Sequence, residues 1–116
     1  MNPPLLDLDY CPILPALEVI GGKWKPLVVY HIYSGAQRFG SLQRHIPTIS
    51  KTMLTQQLRE LERDGLLHRQ VFAEVPARVE YTLTQVGFSL LPVLKAIGAW
   101  GRQLKERQAV PELVCD

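Results

Sequence analysis

One stretch constrains the fold of this chain more than any other. Residues 39–83, FGSLQRHIPTISKTMLTQQLRELERDGLLHRQVFAEVPARVEYTL, hold a short helical pattern, a turn, a second helical pattern and an alternating hairpin in unbroken succession. The first pattern starts at Gly40 or Ser41, turns Leu42 and Ile46 inward, and stops at Pro47. Ser50 is placed to cap the second, its hydroxyl accepting from the backbone N–H of Thr52 or Met53. Asp64-Gly65 ends that helix. β-Branched and aromatic residues over 71–73 and 78–83 then predict two strands joined through residues 74–77.

The helix opened by Ser50 is two-sided. At roughly 100° per residue, Leu58 and Leu61 fall within about 40° of Leu54 and form an apolar stripe. Thr52, Gln56, Arg59 and Arg63 cluster opposite, with Thr55 at the margin, on a face that reads as low in acid. Such a face can be merely wet. It also carries what base recognition requires: Gln pairs bidentately with adenine, Arg with guanine, and a Thr methyl meets the thymine methyl. Lys51 and the N–H groups of the first turn suit phosphate. In the hairpin, Val71, Val79, Tyr81 and Leu83 are expected to pack inward, leaving Arg69 and Arg78 outside. Arg78, just past the turn, is then within reach of a minor groove or backbone. A helix able to enter the major groove, followed by a basic hairpin, points to duplex DNA.

The flanks supply helices. Residues 1–10 hold Pro3 and Pro4 without periodicity and read as an extended arm. Cys11-Pro12 opens a helix with Leu14, Leu17 and Ile20 on one stripe, closed by Gly21-Gly22. Residues 23–33 form a second, with Pro26 in its first turn and Ser34-Gly35 at its end. A brief strand is expected over 37–39. Thr84 caps a long last helix whose Leu90, Leu91, Leu94, Ile97, Trp100 and Leu104 recur at helical spacing, with a kink expected near Pro92. Residues 108–116 read as a polar tail. The organisation is an arm (1–10), one domain (11–107) and a tail (108–116). The class is α+β, mainly α: a winged helix-turn-helix with a small hairpin wing and flanking dimerisation helices.

Charge follows this division. Residues 1–22 carry three acids and no Lys or Arg, whereas residues 23–78 carry nine bases against four acids, a net of +5. Positive charge thus gathers where DNA contact is expected. No charged segment followed by an apolar run opens the chain, and no apolar stretch approaches the ~20 residues that span a bilayer. A soluble cytoplasmic protein with no membrane partner is expected. His31, His45 and His68 share no ligand spacing with each other or with Cys11 and Cys115, so no metal or cofactor is expected. His31 lies in an apolar segment and is expected in the core, with His45 and His68 at the surface or a helix end. No phosphate loop or nucleophile motif is present, which argues against an enzyme.

With these residues in hand, the chain resembles the HxlR family of winged helix-turn-helix regulators, relatives of the MarR group. The likeness runs from Cys11 to Leu104 through CPILPALEVIGGKWKPLVVYHI, RFGSLQRHIPTISKTMLTQQLRELERDGLLHR, EVPARVEYTLT and SLLPVLKAIGAW. It implies a dimer that binds a pseudopalindromic operator, often as a repressor. It also implies that the Cys-Pro pair, here Cys11-Pro12, senses oxidants or electrophiles in some members; Cys115 is not at a position the family fixes.

The expected DNA contacts are Arg38, Ser50, Lys51, Thr52, Thr55, Gln56, Arg59 and Arg78. Leu14, Leu17, Leu90, Leu94, Ile97, Trp100 and Leu104 are the expected dimer contacts, with Gly98 and Gly101 permitting close approach. The expected partners are an operator duplex, a second copy and an effector, either a small molecule or an oxidant. Cys11 stands either as a sensor, its thiolate favoured at a helix N-terminus, or as a small buried hydrophobe. In the sensor reading, Cys115 on the tail can resolve an oxidised Cys11. The rival function is a winged helix turned to protein interaction, which would show an apolar patch where Thr52, Gln56, Arg59 and Arg63 lie.

Overall fold

The computed structural model describes residues 11–108; the N-terminal arm, most of the tail and Cys115 lie outside them. Five helices and one hairpin follow in the order α1 (Ile13–Ile20), α2 (Trp24–Tyr33), α3 (Phe39–His45), α4 (Lys51–Arg63), β1 (Leu67–Phe72), β2 (Arg78–Leu83) and α5 (Gln85–Gln108). Gln108, read as the first tail residue, is the last residue of α5.

Helices α2, α3 and α4 enclose the core. Val28, Val29, Leu42, Leu54 and Leu61 are fully buried there, and Leu58 and Ile46 nearly so. The stripe Leu54, Leu58, Leu61 therefore docks inward as its spacing requires. Ser50 caps α4 as expected, its Oγ accepting from Met53 N at 3.0 Å. Ser50→Ala should lower stability by about 1 kcal/mol, read as a shift in the urea midpoint at unchanged m-value. At the other end Gly65 takes φ +82°, and the chain reverses while Leu66 N donates to Leu61 O at 2.9 Å. A side chain at that φ is strained, so glycine suits this stop.

The hairpin is antiparallel, in the register Leu67↔Leu83, Arg69↔Tyr81 and Val71↔Val79. Strand β1 begins at Leu67, earlier than the apolar residues of 71–73 indicate, because pairing with β2 continues down to the core. Leu67 is buried, and Tyr81 and Leu83 pack against the core from the paired strand. Val71 does not: it is 54% exposed, because the outer half of the hairpin extends beyond the helices that cover its base. Residues 37–39 form no strand. Gln37 O instead accepts one backbone hydrogen bond from Tyr81 N at 2.7 Å, and Phe39 already belongs to α3.

Helix α5 starts where the hairpin ends. Thr84 Oγ1 accepts from Gly87 N at 3.1 Å and donates to Gly65 O, tying the start of α5 to the end of α4. Gly87 is buried against the Leu66 carbonyl, where a Cβ has no room. The helix runs through Pro92 without interruption. Leu90, Leu91 and Leu94 are half-buried on the core rather than fully free. Beyond them Val93, Ile97 and Trp100 stand exposed, as do Ile13, Leu14 and Leu17 of α1. No residue of α1 is buried. A Cβ built on Gly98 or Gly101 would meet nothing beyond the helix itself within 4 Å. Among the described residues no helix is long and apolar enough to cross a membrane.

Candidate nucleic-acid interface

Once Leu54, Leu58 and Leu61 are buried, α4 turns Lys51, Thr52, Gln56 and Arg59 to solvent. These residues, with Thr55 and Glu60, line an open groove of about 500 Å³ along the helix. Lys51 and Arg59 form no ion pair among the described residues, which leaves both cations to a ligand. Thr55 is half-buried and donates to Lys51 O at 2.8 Å, leaving mainly its methyl group for contact. Arg63, also placed on this face by its spacing, sits 3.4 Å from Asp64 at the far end of the helix.

Glu60 corrects the expectation of a face low in acid. Its Oε2 accepts from Gln56 Nε2 at 3.0 Å, and its Oε1 lies 2.6 Å from Lys25 Nζ. Lys25 projects from α2 and its side chain is only 8% exposed. A lone Lys within the apolar run of α2 was the available signal, since a buried ammonium requires a partner. The Lys25 and Gln56 donors hold the Glu60 carboxyl below its ordinary value of 4.5. The stability this contributes is complete above that value and is lost as pH falls through the lower folded one. In urea titrations, the stability lost on Glu60→Gln should therefore be constant near neutrality and shrink as pH falls below 4.5.

The wing is built differently from expectation. Its turn presents Val75, fully exposed, and Ala77. Arg78 is not free at the tip. Its guanidinium lies 3.9 Å over the Phe72 ring, and its Nε is 3.4 Å from Glu80 and 3.6 Å from Glu74, leaving the side chain 30% exposed. Arg69 is exposed as expected and pairs with Glu62 at 3.6 Å. Arg38 precedes α3, faces Glu80 at 3.6 Å and stays 57% exposed. Arg38 and Arg78 approach the same Glu80 oxygen and both line a cleft of about 570 Å³ between the wing turn and the start of α3.

The remaining candidates separate cleanly. His31 is buried, its ring centroid 5.1 Å from Tyr30 and 5.4 Å from His45. His45 ends α3 and is exposed, as is His68. Among the described residues no group of His, Cys, Asp or Glu could hold a metal. Cys11 is exposed just ahead of α1, against the reading of a buried hydrophobe, and its carbonyl accepts from Leu14 N at 3.3 Å.

This arrangement has known relatives. The model of the HxlR-like helix-turn-helix family matches residues 19–109. The chain belongs to this family. It is 46% identical over 101 residues to the uncharacterized HTH-type transcriptional regulator YdeP of Bacillus subtilis (strain 168), covering 87% of this chain and 79% of that one. Among solved structures it is similar to the redox regulator HypR in its oxidized form, with 43% identity and a TM-score of 0.76 over 89% of this chain and 100% of that one. The reduced form of the transcriptional regulator YodB from B. subtilis is 37% identical, with a TM-score of 0.72 over 81% of this chain and 93% of that one. The chain is thus a transcriptional regulator of the HxlR type on a winged helix-turn-helix fold, and not an enzyme.

Proposed function

We propose that this HxlR-type regulator is a homodimer that represses transcription by binding a pseudopalindromic operator. Helix α4 enters the major groove. The observation that carries this reading is the outward face of α4: Lys51, Thr52, Gln56 and Arg59 are exposed, while no large apolar side chain of that helix is. A helix serving only to bind a protein partner would be expected to expose such side chains. Lys51 and the first-turn N–H groups take phosphates, Gln56 and Arg59 read base edges, and Thr52 and Thr55 supply methyl contacts. Arg38 reaches the sugar-phosphate backbone beside the wing; Arg78 does so after exchanging its carboxylate partners for phosphate.

The dimer is formed by α1 and α5. Leu14, Leu17, Ile97 and Trp100 are exposed at 47–64%, and Leu90, Leu94 and Leu104 are half-buried beside them. So much unpartnered apolar surface on these two helices favours a second copy. The test of operator binding is a mobility shift with the gene's own upstream DNA. A shifted band that survives excess unrelated duplex supports the reading, and one lost to any competitor equally refutes it.

We further propose that Cys11 makes binding conditional on oxidants or electrophiles. Its exposure beside a helix of the proposed dimer interface supports this, as does similarity to the redox regulator HypR. Quinone or diamide should change the operator affinity of the wild type and leave Cys11→Ser unaltered. Unchanged affinity in both proteins would remove the sensor role of Cys11.

A further inference from the structure

Gln56 is ambiguous as a base reader until its amide is oriented. Its carboxamide has one accepting end and one donating end. Adenine presents an acceptor at N7 and a donor at N6, whereas guanine presents acceptors at both N7 and O6. A Gln offering its oxygen and one N–H matches adenine. One offering only N–H groups matches guanine. What lies behind the amide therefore decides what it reads.

Behind it lies Glu60. One carboxylate oxygen, Oε1, is 2.6 Å from Lys25 Nζ, and the other, Oε2, accepts from Gln56 Nε2 at 3.0 Å. Lys25 is 7% exposed and fixed in α2, so it anchors the carboxylate from the core side. An ionised carboxylate accepts hydrogen bonds and cannot donate them. The nitrogen end of Gln56 must therefore face Glu60. Its oxygen and its second N–H remain for the groove that Lys51, Thr52 and Arg59 also line.

We propose that Glu60, anchored by Lys25, is a positioning residue for specificity: it holds the Gln56 amide nitrogen-inward, so that the facing operator base is read as adenine. This inference rests on the DNA-binding reading above. It accounts for an acid on a face that meets phosphate, where a negative charge by itself weakens binding. It also links α2 to the readout helix without any contact between α2 and DNA.

Glu60→Gln supplies a sharp test, because the change is isosteric and its outcome is directional. Lys25 can only donate, so it selects the oxygen of the new amide, leaving the new nitrogen against Gln56. Gln56 must then turn its own oxygen inward and present N–H groups outward. Selection of bound sequences from a random duplex library, run on each variant, reads the result. Gln56→Ala first identifies the base pair that Gln56 reads, as the position where an adenine preference is lost. At that same pair Glu60→Gln should replace adenine by guanine, or lower the adenine preference by about three- to tenfold. The other positions should stay unchanged.

If Lys25 beside a neutral partner destabilises the protein, Lys25→Met/Glu60→Gln removes both charges together. It should flatten the same position, and adding Gln56→Ala should flatten it no further. A Glu60→Gln profile identical to wild type, or weakening at all sequences alike, would overturn the proposal. A wild type that enriches no sequence would instead overturn the DNA-binding reading on which the proposal stands.

Discussion

Trp100→Glu combined with Leu14→Glu should convert the proposed dimer to a monomer and lower operator affinity by about a hundredfold or more. Trp100 is 64% exposed and Leu14 62%, so neither contributes to the core of its own protomer. Surface changes of this kind usually cost within about 0.5 kcal/mol of monomer stability. Buried in a two-fold interface, four carboxylates would face one another or apolar surface without partners, which is strongly unfavourable. The loss in affinity follows from bivalency, since joining two half-site contacts multiplies binding by about 10²–10⁴. Sedimentation at micromolar protein checks the assembly state, and thermal unfolding checks that the monomer remains folded. Wild-type behaviour in both sedimentation and binding would remove α1 and α5 from the interface.

Arg59→Ala and Lys51→Ala should weaken binding in different ways. Arg59 is exposed, forms no ion pair among the described residues and lies on the outward face of α4 within its groove. Removing a bidentate base contact should cost about 1–3 kcal/mol on the specific site and relax one operator position. Lys51 stands in the first turn, where phosphate contact is expected. Its removal should weaken specific and unrelated duplexes alike and lower the salt-dependence slope by about one. Anisotropy titrations over a range of salt, with matched and scrambled duplexes, separate the two. Identical sequence profiles for the two variants would show that the roles are misassigned.

What was legible in the sequence was what depends on near neighbours. The Ser50 cap, the Leu54–Leu58–Leu61 stripe and the Gly65 stop each rest on residues within one or two helical turns, and all three stand in the structure. Tertiary partners were not legible. Lys25 and Glu60 meet only because α2 packs on α4, and periodicity does not report such a meeting. The stripe on α5 was visible, but not its division: Leu90 and Leu94 are half covered by the core, while Val93, Ile97 and Trp100 are not. Tyr33 and Phe88, exposed edge-to-face aromatics 6.4 Å apart, lie on different helices, and periodicity within either one does not report their meeting. Arg78 reads as free although its carboxylates are near in sequence: the turn brings Glu74 back onto it, and Glu80 shares its face of β2 two residues on.

The most direct measurement is selection of bound sequences by the wild-type protein from a random duplex library. Two recognition helices related by a two-fold axis sit about one DNA turn apart, roughly 34–36 Å or 10–10.5 bp. The expected result is enrichment of an inverted repeat with half-site centres at that spacing, or a whole multiple of it, bound by two protomers. Enrichment of no sequence, or of a single half-site bound by one protomer, would contradict a dimeric, sequence-specific regulator.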